Sequence, residues 1–322
     1  MDIRNIPTLF RLPGADEICP LTAGHINSTF LVRCGSEHYV LQSLNRSVFC
    51  RPEAVMENIK RIEAAFADIC QSFAAVPHFI ACGDKNYAAA DGEVWRMYRY
   101  IPAAAGAAAC AAAAGRAFGA FIRTMDGRSL CAEPGIKGYH DIDGYFGRLA
   151  EKGGTDGEDG TLLRELKEKL EEVFGRSMPE RIIHGDAKTD NVITGKRTVL
   201  IDLDTVMYGY AALDYGDLIR SVSAGEEPDT ERIREATEGF AEGLDGLLSE
   251  AEVSSLYYGI LRSTAELAVR YYADSLSDEK YFRGKSTADC LDRAGQLMRQ
   301  LRGFMDSEEE LKRLIYCCFG LK

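Results

Sequence analysis

The sequence changes its periodicity once, at Pro102, and that change sets the architecture. Before it, Thr29-Phe30-Leu31-Val32-Arg33 and His38-Tyr39-Val40-Leu41-Gln42 flank Cys34-Gly35-Ser36-Glu37, which predicts a hairpin. Phe79-Ile80-Ala81-Cys82 and the run from Val94 to Ile101 predict further strands, separated by the turn signals Gly83-Asp84 and Asp91-Gly92. One helix interrupts them: Val55, Ile59, Ile62, Phe66 and Ile69 recur at spacings of three and four, with Pro52 suited to the first turn. After Pro102 the pattern turns helical over 107–125, 162–174, 231–248, 253–275 and 289–304. The expected fold class is α+β and two-lobed: a small antiparallel-sheet N-lobe over residues 1–98 and a larger, mainly helical C-lobe over 99–322.

Charge and cysteine usage narrow the partners. With 38 Lys plus Arg against 50 Asp plus Glu, the net charge of −12 repels nucleic-acid backbones and anionic lipid, and no local basic patch offsets it. Neither nucleic acid nor membrane is an expected partner. The tract from Ala103 to Gly115 is too short and too weakly hydrophobic to span a bilayer, and alanine favours a helix there. The ten cysteines lack CxxC spacing and the start lacks a secretory signal, so reduced thiols and a cytoplasmic location are expected. The polar run from Gly153 to Gly160 reads as a solvated connection. It is not a calcium loop, since Thr161 stands where the loop needs glycine.

The chemistry is concentrated in Arg181 to Val206, RIIHGDAKTDNVITGKRTVLIDLDTV. An apolar entry, a polar loop (His184 to Asp190), a strand, a Gly195-Lys196 turn and a strand over 198–203 bring Asp186, Asn191 and Asp202 to one end of a hairpin. Two carboxylates and a neutral oxygen donor are what Mg²⁺-nucleotide chemistry requires: hard ligands for the metal and a base aimed at an incoming hydroxyl. Phosphoryl transfer is the expected reaction. Asp204, two residues beyond Asp202, either shares its face on an extended chain or caps a turn. Lys188 either meets phosphate or substrate or is solvated, and Asp190 stabilises the loop.

The string H-G-D-x-x-x-x-N, followed by an apolar strand and I-D, resembles the core of the kinase-like phosphotransferases that act on aminoglycosides and choline. More narrowly, Gly24-His25-Ile26-Asn27-Ser28-Thr29, Tyr39-Val40-Leu41-Gln42, Ile201 to Met207 and Asp214-Tyr215-Gly216-Asp217 through Arg220 resemble bacterial N-acetylhexosamine 1-kinases. A fainter likeness reaches Arg270, Tyr281 and Leu291-Asp292-Arg293, so the resemblance covers most of the chain. It implies a protein-kinase-like fold, ATP and Mg²⁺ as cofactors, and a small sugar as the acceptor. Asp186 would accept the hydroxyl proton and hold the acceptor in line, while Asn191 and Asp202 would hold the metal. Asn27, Ser28, Thr29 and Gln42 would serve the nucleotide phosphates, with the adenine against the connection from Met97 to Ile101. His25, Arg270 and Tyr281 would line the sugar pocket.

Gln42 stands where many relatives carry a strand lysine that pairs the α and β phosphates. An amide donates without charge, so another cation is expected to contribute, Arg33 or Arg46 among them. Without the lysine, its usual helix partner Glu57 reads as an ordinary polar face. The alternatives for Arg270 are an i, i+4 brace to Glu266 and, for Tyr281, core packing. Asp217 reads as the N-cap of a helix over 218–222 or a brace to the catalytic loop, and His184 as another loop brace. Two rival functions remain: the same chemistry on an amino alcohol or aminoglycoside, and a silent nucleotide-binding module. Intact Asp186, Asn191 and Asp202 argue against the second.

Overall fold

A computed structural model describes residues 1–21, 26–68, 73–103, 110–131, 135–154, 156–175, 178–278, 281–282 and 284–321. Short helix α1 (Ile6–Leu9) precedes β1 (Glu17–Leu21), β2 (Ser28–Cys34) and β3 (Glu37–Ser43); α2 (Pro52–Asp68) then leads to β4 (Ala88–Ala90) and β5 (Glu93–Arg99). The five strands form one antiparallel sheet in the order β1-β2-β3-β5-β4. The predicted hairpin is β2–β3, and its turn works because Gly35 takes a φ of +63°. The expected strand over 79–82 does not form. β4 takes the start of β5, leaving Phe79 a single bridge to Tyr98, and Cys82 turns back on Lys85.

Strand alternation gives the sheet two different faces. Val32, Leu41 and Met97 pack on Ile6 and Phe10 in an N-lobe core. On the other face the register sets Thr29, Gln42 and Arg96 side by side across three strands. Here α2 buries Val55, Met56, Ile59 and Ile62 in the core it shares with the C-lobe.

The second part is mainly helical: α3 (Ala111–Met125), α4 (Ile142–Glu151), α5 (Gly157–Phe174), α6 (Ala211–Val222), α7 (Thr230–Leu244), α8 (Glu250–Ser275), α9 (Thr287–Asp306) and α10 (Glu308–Cys318). Two small sheets sit among these helices, β6 (Arg181–Ile183) with β9 (Met207–Gly209) and β7 (Val192–Thr194) with β8 (Thr198–Leu200). Part of the expected glycine-rich connection is helix instead. Gly157 to Gly160 form the first turn of α5, where Glu158 and Asp159 suit the positive end of the helix dipole, and Asp159 is anchored to Tyr272 and Arg302. No described helix is long and apolar enough to cross a membrane, and the nine described cysteines are free.

Glycines set how closely the large helices approach. Gly115 and Gly119 on α3 face Gly239 and Gly243 on α7, and a Cβ on any of them would collide with the opposing backbone. Gly216 on α6 and Gly259 on α8 make the same kind of seam. This corrects the expected N-cap at Asp217: Gly216 does not break the helix, which runs from Ala211, and Asp217 lies within it, bonded to Arg220 at 2.9 Å. Forcing a side chain into such a seam costs about 1–3 kcal/mol. Gly239→Val should therefore lower the thermal midpoint clearly. At Gly295 of α9 an added Cβ would meet only the end of Arg299, so Gly295→Ala should stabilise by about 0.5–1 kcal/mol in the same melting experiment.

Candidate active site

Between β6 and β7 the loop of His184 to Asp190 is tied down both through its backbone and through the His184 ring. Asp214 of α6 accepts the N–H of His184 at 2.7 Å and of Gly185 at 2.8 Å. Burial pushes the Asp214 carboxyl up to about 7 against these two bonds. Thr205 Oγ1 donates to the His184 carbonyl at 3.0 Å, and His184 Nε2–H donates to the Ile201 carbonyl at 3.0 Å. The ring of His184 is buried edge-on against Phe118 and Phe121, and its Nδ1 has no partner. Burial lowers its pKa, so it stays a neutral brace between the loop and the β7–β8 hairpin. Gly185 has a φ of +80° and no room for a Cβ against the Thr205 carbonyl, which fixes the chain just before Asp186.

Asp186 and Asn191 are brought together. Asn191 is buried in a short 3₁₀ turn over Thr189–Asn191, and its Nδ2 donates to Asp186 Oδ2 at 2.9 Å and to the Asp186 carbonyl at 2.8 Å. Lys188 Nζ is 2.6 Å from the same Oδ2, so it is paired with Asp186 while part of its side chain stays exposed. Burial alone would raise the Asp186 carboxyl, but the Lys188 ammonium, its hydrogen bond and the Asn191 amide outweigh it and hold the group below the usual carboxylate range. Asp186 therefore stays ionised at neutral pH.

Asp202 follows β8, which ends at Leu200 rather than at the expected 203, and it takes a left-handed backbone with φ of 61°. Burial, then the charges of Asp204 and Asp186, push the Asp202 carboxyl up to about 7. A cation would relieve that mutual repulsion. Carboxylate oxygens of Asp202 and the Oδ1 of Asn191 are hard donors of the kind Mg²⁺ takes, so these residues fit the metal. No cluster of three His, Cys, Asp or Glu residues suited to a metal occurs among the described residues. Mg²⁺ needs none, because it is commonly held by one or two protein groups together with phosphate and water.

Asp204 leaves the face of Asp202. The left-handed residue and the 3₁₀ turn over Leu203–Thr205 break the strand alternation and bury Asp204 against the N-lobe. Arg96, 2% exposed, meets it through both terminal nitrogens, with Nη2 at 2.9 Å from Oδ2. Arg96 Nε also donates to Gln42 Oε1 at 2.8 Å, and Gln42 Nε2 donates to Thr29 Oγ1 at 3.1 Å. Asn27 Nδ2 donates to Asp204 Oδ2 at 2.7 Å, while its Oδ1 accepts from the Asn45 amide at 3.1 Å. The cation beside Gln42 is thus Arg96. Arg33 instead pairs with Asp16 and Glu17, and Arg46 with Glu53, on the surface. Glu57 is exposed beside Arg61, as its polar-face reading expects. Ser28 is exposed, and His25, a candidate sugar contact, lies outside the described residues.

Arg270 does not pair with Glu266, which is bonded to His140 and Arg262. Four aromatic rings surround its guanidinium: Tyr281 at 4.8 Å, Tyr145 and Phe282 at 5.5 Å, and Tyr139 at 5.6 Å. Burial opposes its charge, but the phenols of Tyr139, Tyr145 and Tyr281, and then Glu266, hold its pKa above the ordinary arginine value. Tyr281 is 44% exposed, which rules out plain core packing. Tyr139 lies within electrostatic reach of both Arg270 and Asp186, so the ring box adjoins the catalytic loop.

A family model described as the phosphotransferase enzyme family (APH) matches residues 17–248, well over half of the chain and including every residue of the loop and hairpin above. The chain belongs to that family. Solved structures share the fold at low identity. A microcompartment-associated aminopropanol kinase superposes with a TM-score of 0.68 at 14% identity, covering 92% of this chain and 93% of that one. A choline/ethanolamine kinase family protein from Mesorhizobium loti gives 0.66 at 15%, covering 99% and 97%. Spectinomycin phosphotransferase, solved with ADP and spectinomycin, gives 0.56 at 14%, covering 98% of each chain. The phosphotransferase therefore has the expected two-lobed, kinase-like α+β fold.

Arg96, Asp214 and His140 escaped the sequence reading. The only local signal for Arg96 is a charge amid the apolar residues of β5, and Asp214 opens the run Asp214-Tyr215-Gly216-Asp217 with no spacing that assigns it a role. Removing one partner of a buried ion pair costs about 3–5 kcal/mol, because the other charge is stranded. Asp204→Asn should lose stability on that scale in urea unfolding, whereas Arg96→Met with Asp204→Leu should recover most of the loss.

Proposed function

We propose that this phosphotransferase is an ATP- and Mg²⁺-dependent kinase that phosphorylates the anomeric hydroxyl of an N-acetylhexosamine of the GlcNAc or GalNAc type. The observation that carries the reading is the ionised Asp186, bonded to Asn191 and Lys188 on a tightly braced loop beside Asp202. ATP as donor is supported by the ADP in spectinomycin phosphotransferase. The nucleotide would lie between an N-lobe of residues 1–98 and a C-lobe of 99–322, with its adenine against the connection from Met97 to Ile101. Ser28, Thr29 and Gln42 would serve the phosphates from the sheet. Asn27 would act more through its bond to Asp204 than by reaching phosphate.

Asp186 would accept the acceptor's proton while holding its oxygen in line with the γ-phosphate. Asn191 Oδ1 and the Asp202 carboxylate would hold Mg²⁺, which when bound neutralises charge on the phosphates. A carboxylate held below its usual range by Lys188 is a weak base. It suits a hemiacetal hydroxyl, which is more acidic than a primary alcohol. The acceptor side favours a sugar over an amine for an electrostatic reason. Arg270 and its rings offer hydrogen bonds and stacking to a neutral, hydroxyl-rich ring, while a cationic acceptor would be repelled by the guanidinium. His25 would complete this pocket with Arg270 and Tyr281.

ATP consumption with Mg²⁺ across free sugars, choline, amino alcohols and aminoglycosides tests the class. An N-acetylhexosamine should win, reducing sugar should disappear in step with ATP, and the product should release phosphate in mild acid. A product that still reduces copper and survives the acid would overturn the 1-kinase reading; choline or an aminoglycoside as the best acceptor would overturn the sugar reading. Arg270→Ala should raise the sugar KM at least tenfold while moving the ATP KM by less than about threefold. Equal effects on the two substrates would instead assign Arg270 a structural role.

A further inference from the structure

His140, in the segment before α4, uses all four of its polar atoms. Its backbone N–H donates to the Tyr145 hydroxyl at 3.2 Å, and its carbonyl accepts from Arg262 Nη2 at 2.9 Å. Its Nδ1 lies 2.7 Å from Glu266 Oε2, and its Nε2 lies 2.8 Å from the Gly185 carbonyl. A carbonyl oxygen only accepts, so Nε2 carries a proton. Glu266 also accepts from Arg262 Nε at 2.8 Å, and burial notwithstanding, His140 and Arg262 hold its carboxyl down to about 2. It is ionised, so Nδ1 carries a proton as well. His140 is therefore an imidazolium wedged between a carboxylate and the peptide that precedes Asp186.

The placement matters because the Gly185–Asp186 peptide has its carbonyl bound only by this ring among the bonds described for it. The Gly185 N–H is fixed by Asp214 and its α-carbon by the Thr205 carbonyl. Rotation of the next peptide would re-aim Asp186, and the His140 bond opposes that rotation. Its neighbour Tyr139 forms part of the ring box at Arg270, so one short segment touches both the acceptor side and the loop.

We propose that His140 is a positioning residue for the phosphoryl transfer: clamped between Glu266 and the Gly185 carbonyl, it fixes the backbone that aims Asp186 at the acceptor hydroxyl. The inference rests on the assignment of Asp186 as the base. The charged and titratable groups around the ring are Glu266 and Arg262 on α8, Asp217 on α6, Tyr145 on α4 and the adjoining Tyr139, whose ring lies 4.5 Å away. Burial opposes the ring's charge, but Glu266, its hydrogen bond, Asp217 and the Gly185 carbonyl outweigh it and raise the pKa above the ordinary histidine value. The clamp is thus complete below the unfolded-state histidine pKa and is lost as pH rises through the folded one. A neutral ring must either release the Gly185 carbonyl or set a bare nitrogen against the Glu266 carboxylate.

The test is kcat against pH for wild type, His140→Gln, Glu266→Gln and Asp186→Asn, with imidazole ¹⁵N NMR of the wild type. His140→Gln should lower kcat at least tenfold with the sugar KM changed less than threefold. Wild-type kcat should fall on an alkaline limb that matches the His140 titration. In Glu266→Gln that limb should vanish, because the introduced amide can donate to a neutral Nδ1 while Nε2–H keeps the Gly185 carbonyl. Undiminished kcat in His140→Gln, an unchanged limb in Glu266→Gln, or a neutral ring at pH 7 would each overturn the proposal. Should His140→Gln fail to fold, the Glu266→Gln limb and the NMR still decide. Turnover by Asp186→Asn would instead overturn the base assignment, whereas an inert Asp186→Asn beside a fully active His140→Gln would sink only the role of His140.

Discussion

The buried ion pair of Arg96 with Asp204 joins the sheet to the helical part, and the site is arranged around it. Two charges taken out of water are tolerable only when each satisfies the other with good hydrogen bonds, and both carry further bonds here. The requirement fixes more than the pair. Arg96 holds Gln42, Gln42 holds Thr29, and Asp204 holds Asn27 at the start of β2, so one carboxylate organises the strand ends that face the cleft. The turn that buries Asp204 begins at Asp202, whose left-handed backbone takes it out of the strand's alternation. Gln42 needs no charge of its own here, because positive charge sits one strand over on Arg96, whose partner lies across the lobe boundary.

Charge is sorted within the cleft. Asp186 and Asp202 lie where a metal and phosphates would gather, and Lys188 tempers the first of them. Arg270 stands apart in a sheath of rings, of which Tyr139 is also within electrostatic reach of Asp186. On the proposed reading that side takes a neutral sugar, and specificity within one fold would reside in such local changes of side chain.

What the sequence made legible was local. The β2–β3 hairpin, the helix from Pro52 and the run containing Asp186 and Asn191 depend on spacings of a few residues, and they stand where the periodicity puts them. Contacts between distant segments were not legible. Arg96 finds Asp204 more than a hundred positions away, and His140 finds both Glu266 and Gly185, with no pattern in the sequence to announce either. The helix expected over 218–222 starts earlier, at Ala211, and Gly216 inside it is what lets α6 lie close on α8. The strand expected over 198–203 stops at Leu200, and Asp204 leaves the face of Asp202, because alternation fails at one left-handed residue that no propensity foretells.

The glycine seam between α3 and α7 has a consequence for how the chain is made. It welds residues 111–125 to residues 230–244, and neither helix can complete its packing until the other exists. During synthesis the first helix must wait, with its apolar alanine and phenylalanine face uncovered, for more than a hundred further residues to leave the ribosome. Such distant pairing makes folding slow and leaves nascent chains open to association. The lobe that carries Asp186 is accordingly completed only once α7 has been made.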